Sequence, residues 1–288
     1  MVGEETDQMK SRLFEFISIA LEILGAWLLL IAYTWIGGPY KGLIISILGF
    51  LLVLYLIDKQ NLFKLFLRFD PREFQLFLPI GIEFMISLIV VYAFVLIEHN
   101  SVVINPGDLG LFFQYLSQEA LLIIREELAT SFCWFLIAFK ILNLFNKSEI
   151  NPKQIKLMTI LFALIFALFH IPNLSGIMSI NSGNVRLWVF LFGIAYSGFC
   201  LGLYLKTLFI KTFSLPLVVI AHFLINLPRH FNDLYRFQLF SPELSVIFLF
   251  FLTPSIYLIY TITCLFKQVE NPRLKILIMG IKQVGIPK

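Results

Sequence analysis

Long apolar runs separated by short polar segments dominate the chain. A membrane-spanning helix needs roughly 20 apolar residues, and each run approaches that length. The eight runs lie at residues 13–35, 42–57, 74–97, 118–145, 154–171, 186–208, 213–228 and 244–266. Turn-forming Gly, Pro and Asn residues mark many of the breaks between them. The pattern predicts an all-α, polytopic membrane protein with about eight transmembrane helices in one bundle.

Composition supports the same class. Of the 288 residues, 59% are hydrophobic and 14% are charged, whereas a soluble domain is about 45–50% apolar and about 25% charged. The mean hydropathy is +0.88, and the net charge is only +4. These values exclude a soluble enzyme, a disordered chain and a nucleic-acid-binding module. The expected surroundings are the lipid bilayer.

The chain is predicted to be a single transmembrane domain over residues 1–288. No linker is long enough to separate a second domain. The first apolar run, 13–35, is longer than the core of a cleavable signal peptide, so we expect it to remain as a spanning helix. Three cysteines lie inside apolar runs without a CxxC pair, which predicts buried hydrophobic side chains and no disulfide framework.

Basic residues predict the orientation. With eight spans, 17 Lys and Arg residues lie on the side that holds both termini, and Lys206 and Lys211 are counted among them. Four lie on the opposite side, namely Lys41, Arg186, Arg229 and Arg236. Because Lys and Arg are enriched in cytoplasmic loops, both termini are expected in the cytoplasm. The expected location is a prokaryotic plasma membrane.

Ionisable and amide side chains occur inside three of the runs, where they are costly and usually functional. The fourth run contains Glu126 and Glu127, the fifth ends near His170, and the seventh contains His222 and Asn226. His222 and Asn226 are four residues apart and therefore share a helix face. The adjacent glutamates point about 100° apart. One is expected to face a cavity while the other braces a neighbouring helix.

Arg125 directly precedes the two glutamates and is the expected partner for the bracing carboxylate. Together, the two carboxylates, two imidazoles and one amide could supply a general base, proton carriers and an oxyanion donor. Peptide hydrolysis by activated water requires these groups. The predicted cavity is therefore a candidate hydrolytic site.

The order of these residues resembles the CPBP family of intramembrane endopeptidases, which includes type II CaaX prenyl proteases and bacteriocin-processing Abi proteins. That family carries EExxxR, FxxxH and HxxxN motifs on successive transmembrane helices. Glu126 and Glu127, then Phe166 with His170, then His222 with Asn226 match in that order. The likeness covers about residues 118–226.

The resemblance implies an intramembrane peptidase that cleaves a membrane-associated or lipidated peptide or protein. It implies that Glu126 and His170 activate water and that His222 and Asn226 stabilise the oxyanion, with Glu127 in support. A metal-free glutamate mechanism without a cofactor is favoured. Zinc bound by Glu126, His170 and His222 is the alternative.

One position departs from the family motif, because Ser131 stands where EExxxR has arginine. This departure favours an alternative function, a catalytically inactive scaffold or bacteriocin-immunity protein. A proton-coupled transporter using Glu126 and His222 is a further alternative, although the sequence lacks the repeated halves common in transporters.

The predicted spans also place the site within the membrane. Glu126 lies eight residues after Gln118, or roughly 12 Å along a helix that runs inward, and His170 lies near the outer end of its span. The site is therefore expected nearer the external face. That position favours an exported or membrane-embedded peptide over a cytosolic prenylated protein.

Overall fold

The computed structural model describes residues 69–98, 106–135, 137–138, 152–170, 185–235 and 251–266, together with short stretches between residues 10 and 67. The ordered elements within these residues are all helical. The predicted runs 13–35 and 42–57 fall largely outside the described residues. The predicted number of eight spans therefore stays a prediction.

Six α-helices are described. They are α1 (Leu78–Glu98), α2 (Pro106–Glu127), α3 (Pro152–His170), α4 (Val185–Thr212), α5 (Leu215–Tyr235) and α6 (Thr253–Tyr260). A 3-10 helix, Pro71–Phe77, leads into α1 and is capped by the Asp70 side chain, which accepts a bond from Arg72 N. Short π-helical segments, Leu128–Cys133 and Thr261–Leu265, continue α2 and α6.

The helix bounds agree with the apolar runs to different degrees. Helix α3 matches the run 154–171 closely, because Pro152 can begin a helix without losing a hydrogen bond. Helix α2 begins at Pro106, twelve residues before the predicted 118, since its first half is too polar to register as an apolar run. Helices α4 and α5 continue beyond their runs for the same reason, as polar residues lie in their last turns.

Apolar side chains cover the outer faces of two helices. On α3, leucines at 157, 161, 164 and 168 form an exposed stripe, and on α1 the exposed residues include Leu78, Ile82, Met85 and Ile89. The spacing of three and four residues places each set on one helix face. Such extended apolar surfaces are suited to lipid contact. Among the described helices, Leu191–Thr212 is the segment long and apolar enough by itself to cross a membrane.

Helices α3 and α4 pack closely because α4 presents glycine to α3. A Cβ atom added at Gly198 would lie 3.0 Å from Ala167 Cα, and one at Gly202 would lie 2.9 Å from Phe166 Cδ1. Small residues allow this close approach of helices in membranes. The contact fixes Phe166 and His170 against α4.

The corner between α4 and α5 positions His222. Phe213 has a positive φ of 49°, and its backbone N–H donates to Phe209 O at 2.7 Å. Ser214 then caps α5, because its Oγ accepts from Leu217 N at 3.3 Å. This turn directs α5 back against α2 and α4, with His222 two turns into the new helix.

Candidate active site

A cavity of about 230 Å³ lies between α2, α3, α4 and α5. Its polar lining comprises Glu119, Glu126, His170, Ser197, His222 and Asn226, and its remaining lining is apolar or glycine. Four of the five predicted site residues therefore line the same cavity. The fifth, Glu127, lies behind the cavity wall and is fully buried.

Glu126 and His170 face each other across this cavity. His170 Nε2 lies 3.4 Å from Glu126 Oε1, which is longer than an ordinary N–H···O bond of about 2.7–3.2 Å. The other ring nitrogen, Nδ1, lies 2.9 Å from Phe166 O. Because a carbonyl oxygen only accepts, Nδ1 carries the proton of that bond. Nε2 is thereby directed toward the Glu126 carboxylate.

Glu127 points away from Glu126 and holds His222. His222 Nδ1 donates to Glu127 Oε1 at 2.8 Å, and both side chains are buried. The bond fixes the imidazole orientation and leaves the other ring nitrogen, Nε2, available to the cavity. The division of roles predicted from the 100° offset, one carboxylate in the cavity and one bracing a helix, agrees with this geometry.

The cation bonded to Glu127 is Lys206 of α4, whose Nζ lies 2.9 Å from Glu127 Oε2. The expectation that Arg125 neutralises this carboxylate is therefore corrected. Lys206 was also counted with the cytoplasmic loops, but its side chain is only 3% exposed. It lies within α4, about one and a half turns before the end of that helix at Thr212.

Phe166 packs between the two imidazoles. Its ring centroid lies 4.3 Å from that of His170 and 5.8 Å from that of His222. Lys206 Nζ lies 4.8 Å from the same ring centroid, within the range of a cation–π contact. Because a single ring contacts all three side chains, the Phe of FxxxH acts here as a rigid spacer.

Glu119 is a cavity residue that sequence reasoning missed. Its Oε1 accepts a hydrogen bond from Asn226 Nδ2 at 2.8 Å. Because a carboxylate accepts, this contact orients the Asn226 amide with its nitrogen toward Glu119. The available signal was the spacing, since Glu119 lies seven residues before Glu126 and hence on the same face of a helix.

The zinc alternative depends on Glu126, His170 and His222 forming one ligand group. Within the part of the chain that the structure describes, no three or more His, Cys, Asp or Glu side chains are grouped so as to hold a metal ion. As the structure places them, the three expected ligands therefore do not form a metal-binding group. The arrangement instead offers a carboxylate, two oriented imidazoles and an oriented amide around one cavity.

Comparison with known families identifies the central part of the chain. The sequence model described as type II CAAX prenyl endopeptidase Rce1-like matches residues 110–228. The match covers 119 of the 288 residues, so this central segment of the chain is similar to that family. The resemblance drawn from the three motifs is confirmed, and the matched segment contains all five predicted site residues. Neither the curated proteins nor the solved structures give a significant match to this chain.

Similarity to the Rce1-like family over this segment supports two general conclusions. The family consists of integral membrane proteins, which agrees with the apolar outer faces of α1 and α3. It is also a family of proteases, so the expected class of activity is hydrolysis.

Proposed function

We propose that this protein is an intramembrane endopeptidase that uses a water molecule activated by Glu126 and His170. The observation that carries the proposal is the meeting of Glu126, His170, His222 and Asn226 in one cavity. The four residues come from three helices, and hydrogen bonds orient three of them, namely His170, His222 and Asn226. The family match over residues 110–228 supports the same reaction class.

Glu126 is the proposed general base. A water between Glu126 Oε1 and His170 Nε2 can donate one hydrogen to each, because the Nδ1 proton of His170 is directed to Phe166 O. Two acceptors fix the orientation of the water and raise the electron density on its oxygen. The two acceptor atoms are 3.4 Å apart, so one water lying beside them can contact both.

The reaction is a balanced addition and elimination. The water oxygen forms a bond to the peptide carbonyl carbon as its proton passes to Glu126, and the carbonyl π pair moves to oxygen. The C–N bond of the resulting tetrahedral intermediate then breaks. Glu126 returns the proton to the departing nitrogen, which leaves as an amine while the other fragment is a carboxylic acid. No redox partner is required.

His222 and Asn226 are the proposed oxyanion donors. Asn226 Nδ2 has two hydrogens, and one is directed to Glu119, so the second can donate to the oxyanion. His222 already donates from Nδ1 to Glu127. To donate from Nε2 the ring must carry both protons, and the hydrogen bond from Nδ1 to Glu127 stabilises that form. Donors that are already fixed where the charge develops stabilise it strongly.

The proposed substrate is a membrane-associated or lipidated peptide or protein. Access from the bilayer is supported by the apolar residues Leu122, Ile194 and Leu201 in the cavity lining. We expect no cofactor, since the four polar side chains supply the base, the proton carrier and the oxyanion donors.

A comparison of membrane peptides tests this function. Membrane peptides from cells expressing the wild type and Glu126→Gln are compared by mass spectrometry. The glutamine side chain keeps the shape of glutamate but cannot take the water proton, so specific cleavage products should disappear. The matched control is Glu83→Gln, a buried glutamate of α1 that bonds Tyr257 outside the cavity.

The control variant should keep the wild-type products, because glutamine can still accept from Tyr257. Retained cleavage in purified Glu126→Gln would remove Glu126 from the mechanism. Unchanged peptides together with a cellular phenotype would instead indicate the scaffold alternative, and altered solute uptake would indicate a transporter.

A further inference from the structure

The motif EExxxR lacks its arginine in this chain, yet its second glutamate is fully buried. Glu127 has 0% side-chain exposure, and Ser131 stands at the arginine position. A buried carboxylate without a cation is strongly unfavourable, particularly within a membrane. The sequence therefore leaves a charge to be balanced from another part of the molecule.

Lys206 supplies that charge from a different helix. Its ammonium group has three N–H donors, and three acceptors surround it. They are Glu127 Oε2 at 2.9 Å, Thr130 Oγ1 at 2.5 Å and Ser131 Oγ at 2.8 Å. All three donors are matched inside a site that is closed to solvent.

The two hydroxyl groups complete the network. Ser131 donates its own hydrogen to Glu127 Oε2, and Thr130 donates to Glu126 O at 2.8 Å. Each hydroxyl therefore accepts from Lys206 while donating to one of the two glutamates. Because serine is small, it leaves the space that Lys206 occupies, and a lysine at 206 and a serine at 131 are complementary.

We propose that Lys206 takes the place of the missing motif arginine and acts as a positioning residue for His222. Its bond to Oε2 fixes the Glu127 carboxylate so that Oε1 holds His222 Nδ1. The ring is then oriented with Nε2 available to the cavity. This inference rests on the proposed role of His222 as an oxyanion donor. It also removes the reason, the serine at 131, for considering the chain catalytically inactive.

Histidine NMR tests the positioning role without any substrate. The chain has four histidines, so selective ¹⁵N-histidine labelling of the detergent-solubilised full-length protein gives a simple spectrum, with His222 assigned by His222→Gln. Lys206→Met should shift the His222 Nδ1 resonance. Lys211→Met, which removes a lysine from the same helix outside the network, should leave that resonance at its wild-type position.

Restoring the arginine gives the second test. In the double variant Ser131→Arg with Lys206→Met, a cation returns to the motif position while the lysine is absent. The His222 resonance should move back toward the wild-type position. If Lys206→Met alone does not fold, the double variant still tests the positioning role. The spectrum of the folded double variant either shows the wild-type His222 signal or lacks it.

Kinetics measure the consequence for the proposed reaction. With a peptide identified as a product precursor in the membrane-peptide comparison, Lys206→Met should lower kcat by about 100-fold, as small misplacements of catalytic groups do. KM should change little, because Lys206 does not line the cavity. The double variant should recover most of kcat, and Lys211→Met should match the wild type.

Two results would overturn the inference. One is a His222 resonance that stays unchanged in folded Lys206→Met, and the other is a folded double variant whose His222 signal does not recover. Failure of the proposed function is a separate result, since it appears as unchanged cleavage in Glu126→Gln while the NMR comparison still decides the role of Lys206.

Discussion

Two neighbouring glutamates carry different tasks because consecutive helical residues point about 100° apart. Glu126 reaches the cavity and His170, while Glu127 turns into the bundle toward Lys206 and His222. A carboxylate that binds a lysine and a histidine from two other helices ties α2, α4 and α5 together at the site. The second glutamate therefore fixes geometry that the first one uses.

Asn226→Ala is predicted to lower kcat by about 10²–10³-fold, the range for loss of one oxyanion donor. The alanine variant keeps the fold because Asn226 lies at the partly open cavity rather than in the apolar core. The measurement is steady-state cleavage of the peptide substrate by the purified variant. An unchanged kcat would show that the amide does not contact the oxyanion.

Glu119→Gln is the matched comparison for this prediction. A glutamine at 119 can still accept a bond from Asn226 Nδ2, so the amide keeps its orientation and kcat should fall far less than in Asn226→Ala. Equal losses in the two variants would mean that Glu119 acts through its charge rather than by orienting Asn226.

The five site residues were predicted from sequence, whereas Lys206 could not be, and Glu119 was missed although its spacing from Glu126 indicated it. The motifs are local, so spacing along one helix was enough to select them. The contact between Lys206 and Glu127 joins residues far apart in the chain, and it depends on how α4 is rotated against α2. A lysine near the end of an apolar run also resembles an ordinary loop lysine, which is why it was assigned to the cytoplasmic side.

At the scale of elements, the packing of α3 against α4 controls where His170 lies. Gly198 contacts both Ala167 and His170, with an added Cβ 3.0 Å from Ala167 Cα and 3.4 Å from His170 Cβ. The first of these neighbours is backbone and cannot move aside as a side chain would. Any larger residue at 198 must therefore push the two helices apart.

Gly198→Ala is predicted to destabilise the protein by about 1–3 kcal/mol, the usual cost of overpacking, and to lower kcat because His170 moves away from Glu126. Thermal unfolding in detergent and peptide cleavage are the two measurements. The control is Gly81→Ala on α1, where a Cβ would meet nothing within 4 Å.

Gly81→Ala should leave both activity and unfolding temperature unchanged or slightly raise the latter, since alanine favours helix over glycine. If Gly198→Ala behaved like this control, the close approach of α3 and α4 would not determine the His170 position.

The π-helix after Glu127 is an element that the apolar pattern could not indicate. Residues Leu128–Cys133 continue α2 with wider turns, which rotates the side chains that follow relative to an ordinary α-helix. Thr130 and Ser131 lie in this segment and both contact Lys206. Wider turns of this kind often occur at functional sites. Hydrophobic periodicity responds to average burial and does not resolve one extra residue in a turn.

At the scale of the whole molecule, composition and apolar runs predicted a helical membrane protein, and the helical elements and family match agree. The depth of the site needed the structure. The prediction measured depth from Gln118, but α2 begins at Pro106, so Gln118 is not a helix end. A better reference is α4, whose membrane-length segment is Leu191–Thr212.

Measured on α4, the site lies off-centre along the segment that is long enough to cross a membrane. Gly198, which contacts His170, is seven residues from Leu191 and fourteen from Thr212, or about 10 Å and about 21 Å at 1.5 Å per residue. Even when Lys206 is not counted as a loop residue, Lys and Arg remain in strong excess on the side of the membrane predicted to hold Thr212. By the positive-inside rule, the Leu191 end and the nearby cavity are predicted to lie toward the external face.

Cysteine labelling in intact cells tests this orientation. Cys264 is exposed while Cys133 and Cys200 are buried, so the background protein carries Cys264→Ser. Single cysteines are then introduced as Asn105→Cys and Ser182→Cys, at positions outside the described residues in two loops predicted to be external. An impermeant thiol reagent should label both without lysis. Ser148→Cys, in a loop predicted to be cytoplasmic, should be labelled only after the cells are opened.

The reversed labelling pattern would place the Leu191 end of α4 and the cavity toward the cytoplasm. A cytosolic lipidated protein would then become the favoured substrate, because its modified end could enter from the near side of the bilayer. The predicted pattern instead favours a peptide that is exported or embedded in the membrane. Its scissile bond would need to reach only about 10 Å below the external surface to meet Glu126 and His170.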